Sequence, residues 1–125
     1  MQKEEFMTVL LVDDNKEIRE LEKSLFASLF DTFYESASGE EAITLFNRYK
    51  PDWVLMDFKM GKMNGIDAMK EIKEKHPEAK IIIVTQYDDN FLRNAAITSG
   101  AETYILKENL LAVQDFINNY RGVLK

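Results

Sequence analysis

Trp53-Val54-Leu55-Met56 is an unbroken apolar run that stops on a carboxylate, Asp57. Nothing in it alternates, so it reads as a strand buried on both faces, which is the habit of a parallel sheet covered by helices on each side. Related runs recur along the chain. Thr8-Val9-Leu10-Leu11-Val12 stops on Asp13-Asp14, Lys80-Ile81-Ile82-Ile83-Val84 on Thr85, and Thr103-Tyr104-Ile105-Leu106 on Lys107. Thr32 to Ser36 is a shorter, less apolar strand.

The segments between these runs carry apolar residues at helical spacing. Ile18, Leu21, Leu25 and Leu29 mark a first stripe, and Ala42, Leu45, Phe46 and Tyr49 a second. Ile66, Met69 and Ile72 mark a third, Phe91, Leu92, Ala95 and Ala96 a fourth, and Leu110, Val113, Ile117 and Tyr120 a fifth. Asp14 or Asn15 is placed to cap the first helix, Asp14 and Glu17 having capping-box spacing; Ser38 and Glu41 form a cleaner box before the second. Pro51 closes the second helix, His76-Pro77 the third, and Gly100 the fourth. Phe58 to Gly65 is a loop with a turn signal at Asn64-Gly65. A strand followed by a helix, repeated through the chain, predicts an α/β fold: a doubly wound five-stranded parallel sheet with helices on both faces and right-handed crossovers.

At 125 residues the chain is long enough for one domain with one well-covered core, and residues 1–125 are read as that single unit. No helix pair, enzyme domain or second module is legible after Tyr120, so no output domain is expected within it. No apolar run approaches the ~20 residues of a membrane span, and Met1 to Glu5 lack the pattern of a signal peptide. The chain has no cysteine, which removes disulfides and thiolate zinc sites and fits a reducing cytoplasm. A net charge of −6 argues against direct nucleic-acid binding and favours attraction of a divalent cation to an acidic cluster.

Parallel strands end on one edge. With strand order 2-1-3-4-5, the first and third strands are neighbours and the switch point lies between them. Asp13, Asp14 and Asp57 would meet there, with Thr85 and Lys107 beside them. Carboxylates at close range raise one another's pKa, and a divalent metal and a lysine relieve that. Oxygen ligands favour Mg2+ over zinc or copper. A carboxylate beside such a metal is suited to accept a phosphoryl group as an aspartyl phosphate. Singly, each residue has a plainer reading: Asp13-Asp14 as caps, Asp57 as a solvated loop acid, Thr85 as a strand terminator, Lys107 as a snorkelling surface lysine. Their joint placement favours chemistry. Met56, Met60, Met63 and Met69 read as core and loop packing, and His76 as a surface residue.

Val9 to Asp14, Ser38-Gly39-Glu40-Glu41-Ala42, Leu55-Met56-Asp57, Met60-x-x-x-x-Gly65, Ile82-Ile83-Val84-Thr85 and Tyr104-Ile105-Leu106-Lys107 stand in order and at spacings that resemble the receiver domain of two-component response regulators. The resemblance implies a flavodoxin-like (βα)5 fold and a signalling switch, rather than an enzyme, that catalyses its own phosphorylation and dephosphorylation. It implies Asp57 as phosphoacceptor, and Mg2+ (with Mn2+ as substitute) held by Asp14 and Asp57, by Asp13 through water and by the Lys59 carbonyl. It implies that Thr85 reaches the phosphoryl oxygen, that Lys107 pairs with acceptor and phosphoryl group, and that Tyr104 is the switch aromatic, turning inward when Thr85 moves. The implied donor is a sensor histidine kinase or phosphotransfer protein. A second copy, an effector domain or a target would read the face formed by the fourth helix, fifth strand and fifth helix.

The chain departs from the family pattern at Gly61, where proline is common, at Gln86-Tyr87 after the threonine, and at Glu108 after the last lysine. Lys59, Gln86 and Tyr87 are expected to obstruct hydrolytic water and lengthen the life of the phosphoryl group. Alternatives are a phosphorylation-independent pseudoreceiver, which the intact acidic set argues against, and a haloacid-dehalogenase-like phosphatase, which the adjacent Asp13-Asp14 and the lack of a cap insertion argue against. A flavin protein of this topology would want a Ser/Thr/Gly-rich loop after the first strand.

Overall fold

The computed structural model describes residues 7–123. The leader reading at Met1 to Glu5 lies outside the described residues. Five parallel strands form one sheet in the order β2-β1-β3-β4-β5, with β1 at Thr8–Val12, β2 at Thr32–Ser36, β3 at Trp53–Met56, β4 at Ile81–Thr85 and β5 at Thr103–Leu106. The register pairs Val12 with both Ser36 and Met56, so the ends of β1, β2 and β3 are level. The helices are α1 (Lys16–Leu25), α2 (Gly39–Tyr49), α3 (Gly65–Lys75), α4 (Asn90–Thr98) and α5 (Leu111–Val123), the last entered through a 3-10 turn at Lys107–Asn109.

The absence of alternation in the strands has its expected cause. Leu10, Val12, Val54, Met56, Ile81 and Ile83 face α2, α3 and α4, where Phe46, Met69, Ile72 and Ala96 cover them. Val9, Leu11, Trp53, Leu55, Ile82 and Val84 face the other layer, built by Phe26, Leu29 and Phe30 beyond α1 and by Val113 and Ile117 of α5. With about 1.5–3 kcal/mol from each fully buried aliphatic side chain, the two faces of β1, β3 and β4 dominate the hydrophobic gain. Met56, Met60 and Met69 are buried and Met63 packs on them, as core filler should.

Of the two residues placed to cap α1, Asn15 takes the role, accepting from the amides of Glu17 and Ile18, which leaves the Asp14 carboxylate free for the site. Four other local expectations need correction. Leu21 is on the outside of α1 at 45% exposure, while Glu22 is inside at 2%; apolarity had selected the wrong neighbour, one helical step of ~100° away. Phe91, assigned to the apolar stripe of α4, is 80% exposed. His76 is no free surface residue: its ring lies 5.0 Å from that of Phe46 and shares a 2.8 Å hydrogen bond with Asn47 Oδ1. The Ser38 cap forms as expected, its hydroxyl accepting from the Glu41 amide, but Glu41 Oε1 takes the amide of Ala37 rather than that of Ser38.

Among the described residues, no helix is long and apolar enough to cross a membrane.

Candidate metal and phosphoacceptor site

Two backbone hydrogen bonds carry the sheet ladder one residue past its strands and fix the acids. The Asp57 amide donates to the Val12 carbonyl at 2.9 Å, and the Asp13 amide to the Ser36 carbonyl at 3.0 Å. One carboxylate oxygen from each of Asp13, Asp14 and Asp57 lies within 4.8 Å of the others. Asp13 and Asp57 are buried and Asp14 is exposed. Asp14 and Asp57 border a cleft of about 350 Å3 that is also lined by Lys59, Gln86, Tyr87 and Lys107.

Lys107, carried from the end of β5 into the 3-10 turn, brings its ammonium to 2.8 Å from Asp13 Oδ2 and 3.4 Å from Asp57 Oδ2. Burial, and next the Asp13 carboxylate, push the Asp57 carboxyl up to about 6, with Lys107 pulling it back. Burial alone would lower the Lys107 ammonium; its bonds to Asp13 and its attraction to Asp57 outweigh that, and the net shift is upward. The other Asp13 oxygen, Oδ1, accepts from the Asn15 amide at 2.9 Å. Both Asp13 oxygens are therefore engaged by protein donors, whereas Asp14 opens onto the cleft.

The donor set fits a hard divalent cation. It offers carboxylate oxygens on one side of an open cleft and no sulfur or imidazole, and such an arrangement suits Mg2+ with water and phosphate oxygens filling the remaining positions. Gly65 makes the loop above the site possible. A Cβ there would lie 2.0 Å from the Asp57 carbonyl oxygen, and the Gly65 amide donates to the Phe58 carbonyl at 2.7 Å.

The resemblance carried by these residues is matched by comparison with known proteins. The model of the response regulator receiver domain family matches residues 9–116. The chain belongs to that family. Among its curated relatives, the transcriptional regulatory protein DegU of Brevibacillus brevis is 31% identical over 102 residues, 80% of this chain and 43% of that protein. YdfI of Bacillus subtilis is 39% identical over 80% of this chain and 47% of its own length. The chain thus spans about half the length of these relatives. The chemotaxis protein CheY of Thermotoga maritima is 38% identical over 79% of this chain and 83% of its own length. A CheX–CheY–BeF3–Mg complex from Borrelia burgdorferi aligns with a TM-score of 0.79 at 27% identity, over 85% of this chain and 84% of that one. This receiver domain has the doubly wound, flavodoxin-like architecture that its alternation of strands and helices predicted. Its acidic pocket fits the family's phosphoacceptor site, and neither alternative is favoured.

Thr85 is fully buried at the end of β4, and its Oγ1 accepts from the Tyr87 amide at 3.3 Å. Tyr104, whose pose is not readable from sequence, points inward at 3% exposure, and its hydroxyl donates to the Tyr87 carbonyl at 2.5 Å. Burial pushes the Tyr104 phenol upward against the pull of Arg93. Lys59 and Gln86 are exposed at the rim of the cleft.

Three contributors escaped the sequence reading. Arg19 reaches from α1 to donate to the Asp13 carbonyl at 2.5 Å while its Nε pairs with Glu35 at 2.8 Å, so α1, β1 and β2 are tied together beneath the acids. Glu22 has no hydrogen-bond partner for Oε1 among the described residues; burial first, and then Asp13, raise its carboxyl to about 8. Arg93 lies over the Tyr104 ring. Only the spacing of Ile18 and Glu22, one helical turn apart, offered a signal for the second.

Proposed function

We propose that this receiver domain takes a phosphoryl group on Asp57 from a sensor histidine kinase or phosphotransfer protein and passes the change to the surface formed by α4, β5 and α5. The convergence of three carboxylates with one lysine is the observation that carries the reading. A carboxylate oxygen of Asp57 attacks phosphorus as the bond to the donor's imidazole nitrogen breaks. The electron pair leaves with the imidazole, which takes up a proton. Asp14 and Asp57 would hold Mg2+, with the Lys59 carbonyl, and Asp13, its oxygens already engaged by Asn15 and Lys107, would act through water. Bound there, Mg2+, or Mn2+ in its place, would neutralise charge on the transferred oxygens.

Lys107 exchanges part of its pairing with Asp13 for the arriving phosphoryl group, and Thr85 Oγ1 turns from the Tyr87 amide to donate to a phosphoryl oxygen. The loop through Tyr87 then moves, and Tyr104 moves with it. Phosphorylation and its reversal use the domain's own residues in this reading. The partner of the output surface is a second copy, an effector domain or a target protein, in a cytoplasmic setting. Residues 1–125 act as one receiver unit.

The test is intact-mass analysis after incubation with acetyl phosphate and Mg2+. The expected result is one added phosphoryl group, lost with chelator and lost in Asp57→Asn. Equal labelling of Asp57→Asn refutes the assignment.

A further inference from the structure

The charges on α4, β5 and α5 are one-sided. From Gln86 to Tyr120 the acids are Asp88, Asp89, Glu102, Glu108 and Asp115, and the only cations are Arg93 and Lys107. Both cations are committed within the molecule. Lys107 pairs with Asp13 and Asp57. The Arg93 guanidinium lies 4.7 Å from the Tyr104 ring centroid and donates to the Tyr104 carbonyl at 3.2 Å. Among the described residues, none of the five acids forms an ion pair. Glu102 is half-buried and the other four are exposed.

These acids border the edge of the sheet. β5 is an edge strand, so no strand covers its outer side. Burial raises the Tyr104 phenol, Arg93 pulls it back, and Asp89 and Asp88 raise it again, so these two acids stand beside β5. Glu102 immediately precedes β5, Glu108 lies in the turn after it, and Asp115 is on α5. Ile97 follows Arg93 by one turn on the same side of α4 and is 47% exposed. The surface therefore offers an apolar foothold inside a ring of unanswered negative charge.

We propose that this surface docks a basic amphipathic segment of a partner protein, with cationic side chains against Asp88, Asp89, Glu102 and Asp115 and an apolar side chain on Ile97. A second copy suits it poorly. A two-fold dimer brings the same patch of each chain together. Here that sets carboxylates against carboxylates, and like charges across an interface oppose association. The inference rests on the reading of α4, β5 and α5 as the output surface and narrows its partner to one chemistry.

The probe is a synthetic amphipathic helical peptide of leucine and lysine, with its leucine–glutamate counterpart as control, titrated calorimetrically into the whole chain. Binding is measured with and without acetyl phosphate and Mg2+, and labelling of Asp57 is read separately by intact mass. The lysine peptide is expected to bind, more weakly as salt rises, and the glutamate peptide not to bind. The triple variant Asp88→Asn, Glu102→Gln, Asp115→Asn is expected to weaken binding about tenfold. Glu40→Gln, Glu71→Gln, Glu74→Gln removes equal charge from exposed sites on α2 and α3 and is expected to stay within about twofold. Ile97→Ala weakens binding about threefold. A chain labelled at Asp57 that binds no lysine peptide overturns the docking alone. An unlabelled chain that binds it through these acids supports the docking and fails only the acceptor reading. Equal weakening by the two triple variants, or a wild type that dimerises and becomes monomeric in Ile97→Asp, overturns the proposal.

Discussion

The Lys107 ammonium is paired with Asp13, Nζ to Oδ2 at 2.8 Å, and reaches Asp57 only at 3.4 Å. The lysine therefore spends its shortest contact on Asp13 and offers a longer one to Asp57, the proposed acceptor. Lys107→Ala leaves the carboxylates facing one another without a counter-charge. Mg2+ affinity by titration calorimetry is expected to rise, because the cation then meets more uncompensated negative charge. Phosphorylation by acetyl phosphate is expected to slow by about a hundredfold, the scale for losing one preorganised charge donor. Weaker metal binding in this variant would show instead that the lysine's main work is to hold the acids in place.

Gly65 and Gly61 occupy the same loop and should respond in opposite ways. A Cβ at Gly65 meets the Asp57 carbonyl at 2.0 Å and Met56 Cγ at 2.9 Å, whereas one at Gly61 meets open space. Gly65→Ala is expected to cost about 2–4 kcal/mol in urea unfolding, as overpacking against rigid backbone does. Gly61→Ala should stay within about 0.5 kcal/mol of wild type. Equal effects at the two positions would contradict the close approach of α3 to Asp57.

The buried carboxyl of Glu22 gives stability a pH dependence. Its folded-state value of about 8 lies above its ordinary 4.5. The folded chain binds this proton more tightly than the unfolded chain, so the stabilisation is complete below about pH 4 and is lost as pH rises toward 8. Asp57, pushed up to about 6, adds a loss of the same sign over a lower range. Metal-free protein is therefore expected to weaken from pH 5 to pH 8. Glu22→Gln should flatten the upper part of that curve and be more stable than wild type at pH 8 by roughly 2–4 kcal/mol. Identical slopes for the two proteins would mean that Glu22 is ionised throughout.

How much of this was readable beforehand follows from where the information lies. The bounds of β1 and β5 were legible because each apolar run stops abruptly on a charged residue, where burial on both faces ends. Asp57 and Lys107 were legible as partners because parallel strands deliver their ends to one rim. Glu22 was not, since an acid on an amphipathic helix is ordinarily solvated and Leu21 offered a more apolar neighbour. Arg93 was not, since its hold on Tyr104 depends on the inward rotamer of an aromatic and on how α4 lies along β5, neither of which leaves a mark on spacing. The cap of α1 was open between Asp14 and Asn15 because both side chains can accept from the first turn.

Lys59 and Gln86 stand at the rim of the cleft beside Asp57. If they obstruct the approach of water, Lys59→Ala and Gln86→Ala will each shorten the life of the aspartyl phosphate, by roughly threefold to tenfold. The decay is followed by phosphate-affinity electrophoresis after removal of excess donor. Unchanged lifetimes would assign both residues to the surface alone.

The central claim, that Asp57 is the acceptor and that the acidic rim makes it so, is tested most directly by chemical trapping. Borohydride reduces an acyl phosphate to the alcohol, and peptide mapping then locates the converted residue. The account predicts conversion at residue 57 alone, dependent on Mg2+ and abolished in Asp14→Ala. Conversion at another aspartate, or at residue 57 to the same extent without a divalent cation, would contradict it.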